Sequence, residues 1–480
     1  MLDKIRKNNK IFILTIFILL AMGINFSLIF NDSVWYDESF TMLAIKNGFK
    51  EIIQTTIEDV HPPLYYLILK CVTIILGYSV PAAKIASLIP ILFTMILGVT
   101  AIMRRFPDFG KKRLFAAVLL LCFLSIMPSN LAENVEVRMY TWAMFFVTAS
   151  GLYAFEAYLE PEKKKNWIVL TLSALAAAYT HYFALLSVAI VYVILFLALM
   201  IKRKKIVNYL ISGIVCCIGY LPWLPFLWKQ IHLVKEGFWI PEVTLDKLLE
   251  YVTWMFQGEY QYVWLFILVL AFLLLLDRLF HNTNTTEKIK EVTICMLAYF
   301  MVFIGLILVG CILSVLIRPI LVERYLFVCI GLLYIFLSYS LTYLIDNRKV
   351  KIGILAIIIL TGLFSYNAKF INEYKNGTEE SKKVFAENIS DTDLIATNDA
   401  LLGVQNGSPL RYYLPENNLV TIENEEQVQL MEGYNKTWYF ATNTFNQEIF
   451  TNQGYSVTYI YQGSIDVQHP YTLYLIQKAS

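Results

Sequence analysis

Apolar runs about as long as a bilayer is thick recur along most of this chain, separated by short polar segments. The first, Ile11 to Phe30, follows the basic start Lys4, Arg6, Lys7 and Lys10. It is too long for a leader, and no small-residue cleavage site follows it, so an uncleaved first span is expected. Further runs cover about Pro81 to Met103, Leu114 to Pro128, Tyr140 to Tyr158, Trp167 to Tyr179, Phe183 to Ile201 and Ile206 to Pro222. Val263 to Leu276, Val292 to Leu316, Tyr325 to Leu344 and Ile352 to about Phe364 complete the set. A spanning helix needs roughly 17 to 25 mostly apolar residues. About eleven spans are expected.

Lysine and arginine placement orients them, because basic loops stay in the cytoplasm. Arg104-Arg105 with Lys111-Lys112-Arg113, Lys163-Lys164-Lys165, Lys202-Arg203-Lys204-Lys205, and Arg348 with Lys349 and Lys351 all fall on the side of the N-terminus if the run Pro62 to Gly77 does not cross. That run opens on Pro-Pro and sits near the lower length limit. It is therefore read as an interfacial helix in an outer loop, 31–80. A long outer loop is also expected from Pro222 to near Tyr260. Residues 1–369 form the membrane domain, and the C-terminus lies outside.

Residues 370–480 change character. They carry 6 Lys/Arg against 14 Asp/Glu, with β-like runs at Ser456 to Tyr461 and Tyr471 to Ile476. A small exported α/β domain is expected there. Composition agrees with this division: of 480 residues 58% are hydrophobic and 16% charged. No soluble protein of this size manages with so little charged surface. The seven cysteines all sit in apolar runs, without metal-ligand spacing, and read as small packing residues. No basic patch calls for nucleic acid.

The chemistry-bearing residues collect at the outer ends of the expected spans. Asp37-Glu38 lies just past the first span, flanked by Trp35, Tyr36 and Phe40. A carboxylate in a partly desolvated cleft is suited to general-base work; the plainer reading makes Asp37 a helix N-cap. In Asp59-Val60-His61-Pro62-Pro63 the prolines present His61 ahead of a helix start, where an anion is favoured. Arg138, after Glu133 and Glu136, either snorkels to lipid phosphates or binds an anion. His181 occupies a tight turn between two spans. Arg324 follows Glu323 at another helix start, after Arg318, and its guanidinium suits a phosphate. Together these residues fit an enzyme that holds an anionic leaving group while a carboxylate activates a nucleophile.

In this order Trp35-Tyr36-Asp37-Glu38-Ser39-Phe40-Thr41, Asp59-Val60-His61-Pro62-Pro63-Leu64-Tyr65-Tyr66, Glu136-Val137-Arg138-Met139-Tyr140, Tyr179-Thr180-His181-Tyr182-Phe183 and Glu323-Arg324-Tyr325 resemble motifs of a known superfamily. They are similar to those of bacterial GT-C glycosyltransferases of the protein O-mannosyltransferase and aminoarabinose transferase kind, in the family-39-type, rhizobial-lipopolysaccharide-transferase-like branch. The likeness runs from residue 1 to about 370. Gly407-Ser408-Pro409-Leu410-Arg411-Tyr412-Tyr413 in the tail adds a weaker echo.

The resemblance implies a GT-C fold with short juxtamembrane helices in the first outer loop. It implies an inverting hexosyl- or pentosyltransferase that takes a sugar from a polyprenyl-phosphate-linked donor on the outer face of the bacterial plasma membrane. Asp37 matches the catalytic aspartate, with Glu38 the second acid. His61, Arg138, Tyr140, His181, Arg324 and Tyr325 fall at donor-binding positions. Val137 stands where alanine is usual, and His61 where aminoarabinose transferases carry lysine, which argues against that donor. No cofactor is firmly implied; a divalent cation is compatible, although a lone Asp-Glu pair makes a poor metal cage. The acceptor is a lipid, glycan or protein. Two other classes fit the hydropathy: a polytopic transporter, which calls for ionisable groups near the midplane, and a non-catalytic envelope assembly factor working through its acidic tail.

Overall fold

The computed structural model describes residues 2–107, 112–236, 240–256, 261–281, 286–375, 377–399, 402, 407–442, 445–466 and 469–479. Lys111 of one basic cluster and Tyr260, the expected end of one loop, lie outside the described residues. The helices in chain order are α1 (Leu2–Phe26), α2 (Tyr36–Lys46), α3 (Phe49–Glu58), α4 (Leu64–Leu76), α5 (Val80–Arg105) and α6 (Lys112–Ile126). Then come α7 (Pro128–Glu133), α8 (Tyr140–Leu159), α9 (Lys164–Thr180), α10 (Tyr182–Ile201), α11 (Val207–Tyr220) and α12 (Leu224–Glu236). They are followed by α13 (Leu245–Trp254), α14 (Gln261–His281), α15 (Glu287–Leu316), α16 (Ile330–Tyr343) and α17 (Arg348–Tyr374).

Among the described residues, 8 segments are long and apolar enough to cross a membrane. They are α1, α5, α10, the rod of α11 with α12, α14, α15, the stretch Glu323–Tyr343 and α17. The helices α6, α8 and α9 occupy the other three expected positions. The chain is a multi-pass membrane protein. At 13 residues, α4 reaches only about 20 Å against a hydrocarbon core of about 30 Å.

One expectation needs correcting. The long loop after Pro222 is largely helical: a 3-10 turn, Leu221–Trp223, leads straight into α12, and α13 follows. The expected span ends at Pro222, yet Pro222 and the following Pro225 both stand in first-turn positions, where a missing N–H costs nothing. The last membrane helix likewise runs beyond Phe364 to Tyr374.

The chain divides into two compact units. The first comprises Met1–Ser27, Ile52–Leu69 and Ile85–Tyr366. At its centre is α16, every residue of which is buried; a helix apolar on all sides belongs inside a bundle. The helix α8 packs against α9, α10 and α16, and α15 packs against α10 and α16. Gly151 lets α8 come close to α16, since a Cβ there would lie 2.6 Å from Leu332 Cδ2.

The second unit comprises Leu28–Glu51, Lys70–Lys84 and Asn367–Ser480. It holds α18 (Thr378–Asn388), β1 (Leu394–Thr397), α19 (Pro409–Tyr413), β2 (Asn418–Thr421), β3 (Thr437–Ala441), α20 (Glu448–Thr451), β4 (Tyr455–Ser464) and β5 (Pro470–Lys478). The sheet order is β2-β1-β3-β5-β4. Strand β1 runs parallel to β2 and β3, and β5 antiparallel to β3 and β4. The two expected strands are β4 and β5. Side-chain alternation separates two cores, one with Phe385, Ile395, Trp438, Phe440 and Leu473, the other with Leu394, Ala396, Tyr439, Phe450 and Ile476. This is the small α/β domain the tail composition called for.

Candidate active site

The helix α3 ends because the chain meets Pro62 and Pro63, which remove two amide donors and restart the helix at Leu64. Between the two helices, Asp59 and His61 turn toward each other, Oδ2 to Nδ1 at 2.7 Å. The other ring nitrogen of His61, Nε2, is 3.3 Å from Nη2 of Arg138. An arginine only donates. The geometry therefore fits the tautomer in which Nδ1–H donates to Asp59 and Nε2 accepts from Arg138. Burial alone raises the Asp59 carboxyl, but the His61 ring and, further away, the Arg138 charge hold it below the usual carboxylate range.

Arg138 is 3% exposed, which is at odds with snorkelling to lipid phosphates. His181 caps the start of α10: its Nδ1 accepts from the Phe183 amide at 3.1 Å, leaving Nε2–H as a donor. Burial first, then the nearby His61 ring and the positive charges of Arg138 and Arg324, press its pKa well below 6.5, so the ring is neutral at pH 7. Tyr325 meets His181 edge to face at 4.9 Å between centroids, and Tyr140 lies 5.6 Å from the same ring. The His61 and His181 rings are 6.1 Å apart. Thus His61, Arg138, Tyr140, His181 and Tyr325 gather from four separate chain segments, and Arg324 is near enough for its charge to act on His181. Arg318 instead donates to the Lys235 carbonyl.

Beside this cluster opens a cavity of about 240 Å³, lined by His61, His181 and Tyr325 and by apolar side chains of α10, α12 and α15, among them Leu185, Leu227, Val234 and Leu313. A polar network braces its rim: Gln230 donates to the Thr56 carbonyl at 2.7 Å and accepts from the Tyr182 hydroxyl, to which Trp223 Nε1 donates at 3.0 Å. Sequence reasoning gave Asp59 no role and passed over Gln230. For Asp59 a signal existed, since an acid two residues before a histidine can reach its Nδ1. Gln230 lies in the segment read as loop.

Asp37 and Glu38 belong to the second unit, in the first turn of α2. The N-cap is Trp35, which makes Asp37 the second helical residue rather than the cap. Glu38, 5% exposed, accepts from the Trp35 amide at 3.4 Å, the reach-back half of a capping box; the indole of Trp35 only donates and cannot supply the other half. Asp37 is half-buried, and its carbonyl accepts from the Thr41 hydroxyl at 2.8 Å.

Many membrane helices, a first loop of short helices and a small terminal sheet together define the GT-C architecture. Two solved structures share it over almost their whole length. ArnT from Cupriavidus metallidurans bound to undecaprenyl phosphate superposes with a TM-score of 0.62 at 10% identity, covering 96% of this chain and 97% of that one. The apo form of the same protein gives 0.51 at 9% identity, with the same coverage. No protein-family model and no curated protein matches the sequence. The likeness is one of fold.

Proposed function

We propose that the protein is a glycosyltransferase that moves a hexose or pentose from a polyprenyl-phosphate-linked donor to an acceptor at the non-cytoplasmic face of a bacterial plasma membrane. The observation that carries this reading is the Asp59–His61–Arg138 chain beside an apolar cavity. An oriented guanidinium and a neutral imidazole donor suit a phosphate, and the apolar walls suit the isoprenoid next to it. In support, a protein of the same fold binds undecaprenyl phosphate.

In the proposed reaction, Asp37 takes the proton of the acceptor hydroxyl as its oxygen attacks the anomeric carbon. The bond from that carbon to the phosphate oxygen breaks on the opposite face, inverting the configuration, and the phosphate leaves with the electron pair. Arg138 and Arg324 stabilise the charge that grows on it, a preorganised electrostatic role. His61 acts on the phosphate through Arg138, while His181 offers Nε2–H, and Tyr140 and Tyr325 wall the site. The N-terminus is cytoplasmic and the C-terminal domain is outside.

The test is direct. Purified protein is incubated with a panel of radiolabelled polyprenyl-phosphate sugars and a membrane extract as acceptor source. A labelled product that depends on the protein is expected; labelled donors all returned intact would sink the reading.

A further inference from the structure

The tail motif Gly407–Tyr413 is left without a role by the proposed reaction. It belongs to the same compact unit as α2, and it makes two hydrogen bonds that bracket the acidic pair. Ahead of α2, the Val34 amide donates to the Tyr413 hydroxyl at 2.9 Å. Just after the pair, the Ser39 hydroxyl reaches the Gly407 carbonyl, sharing its one proton with the Tyr36 carbonyl at 2.8 Å in its own helix. Val34 and Ser39 are both fully buried, so neither group has water as an alternative, and losing the partner of a buried polar group is costly. Gly407 is there because nothing larger fits: a Cβ would stand 2.7 Å from Phe40 Cβ and 2.9 Å from its Cδ2. The motif holds its own shape, with Ser408 Oγ capping the short helix α19 by accepting from the Arg411 amide at 3.3 Å. Leu410, at its centre, is fully buried in the core of the sheet domain.

Resting on the reading above, we propose that the Gly407–Tyr413 segment is a positioning element for the general base: it clamps the first turn of α2 from both ends and so fixes Asp37. The C-terminal domain is then part of the catalytic apparatus, not a detached module.

The test uses the purified full chain and a donor that the wild type turns over. Tyr413→Phe keeps the ring and removes the acceptor of the Val34 amide; Ser39→Ala removes the second bond, together with the one to the Tyr36 carbonyl in its own helix, without touching the sheet domain. Each is expected to lower kcat about 10- to 100-fold, as a misplaced catalytic group does, with the donor KM within about twofold. Hydrogen exchange of amides 31–40 should quicken in Tyr413→Phe. Tyr434→Phe, which removes an exposed bond from Asn418 in the same domain, should match wild type in both readouts. Wild-type kcat in Tyr413→Phe and Ser39→Ala, or unchanged exchange at 31–40, overturns the clamp. If Tyr413→Phe fails to fold, Ser39→Ala decides alone. A wild type that transfers from no lipid donor defeats the functional reading instead, and the exchange measurement still judges the clamp.

Discussion

His61 Nε2 and Arg138 Nη2 stand 3.3 Å apart, joining two residues separated by 77 positions. Because His61 spends its other nitrogen on Asp59, the carboxylate sets the tautomer, the tautomer makes Nε2 an acceptor, and the acceptor aims the guanidinium. Asp59→Asn keeps the shape but offers a donor or a weaker acceptor. A hydrogen bond to a charged group contributes about 1.5–3 kcal/mol, so polyprenyl phosphate should bind about 10- to 100-fold more weakly. Titration of the purified variant measures this directly. Wild-type affinity in Asp59→Asn would show that Arg138 needs no such support.

The two acids of α2 should separate cleanly. Asp37→Asn is expected to lower kcat by about 10²- to 10⁴-fold, the span of general-base effects, with the unfolding midpoint unmoved. Glu38 is committed to the Trp35 amide, and Gln retains an acceptor for it. Glu38→Gln should therefore leave kcat within about tenfold of wild type while costing stability of about 1 kcal/mol. Equal loss of turnover in the two variants would make the acids a joint device and undo this division.

The helical frame was legible because each span must satisfy its backbone internally and face lipid or neighbours with apolar groups, a constraint that leaves its mark on every residue. The strands β4 and β5 alternate clearly and were equally open to reading. By contrast, β1, β2 and β3 are four or five residues long, too short to show a period. The cluster around His181 was visible as residue types at helix ends, but not as contacts. Ser39 and Gly407 are 368 residues apart, and no local pattern in either segment points to the other. Pro222 misled for a physical reason, since a proline that ends one helix also starts the next.

His181 should make the protein acid-sensitive. Its folded pKa is depressed, by burial first and then by nearby positive charge, while an unfolded histidine titrates near 6.5. As pH falls below about 6.5 the unfolded chain gains a proton that the folded chain refuses, and stability drops by at most about 1.4 kcal/mol per pH unit. Above about pH 7.5 neither state binds that proton and the effect vanishes. His181→Asn keeps a side-chain acceptor for the Phe183 amide at the helix start and removes the titration. Unfolding midpoints measured from pH 5 to 8 should converge at the alkaline end and part at the acid end; parallel curves would assign the acid sensitivity elsewhere.

Lys84 is 2% exposed, in the first turns of α5, with Nζ 3.2 Å from Glu373 Oε2. Removing one partner of a buried pair commonly costs about 3–5 kcal/mol, because the other charge is stranded. Glu373 would not be wholly stranded. Lys369 lies 2.8 Å from its Oε1, one turn earlier in α17, and Asn31 Nδ2 donates to Oε2 at 2.8 Å. The loss in Lys84→Met is therefore expected at about 2–3 kcal/mol. Adding Glu373→Gln removes the stranded charge, and Lys369, 22% exposed at its side chain, can rehydrate. The double variant should recover most of the loss even though Glu373 forms two ion pairs in wild type, one in Lys84→Met and none in the double variant. Midpoints compared at one scan rate, since membrane proteins often unfold irreversibly, give the ordering wild type, double variant, single variant. A double variant less stable than Lys84→Met alone would mean that the pair contributes net attraction beyond its desolvation, the reverse of this reasoning.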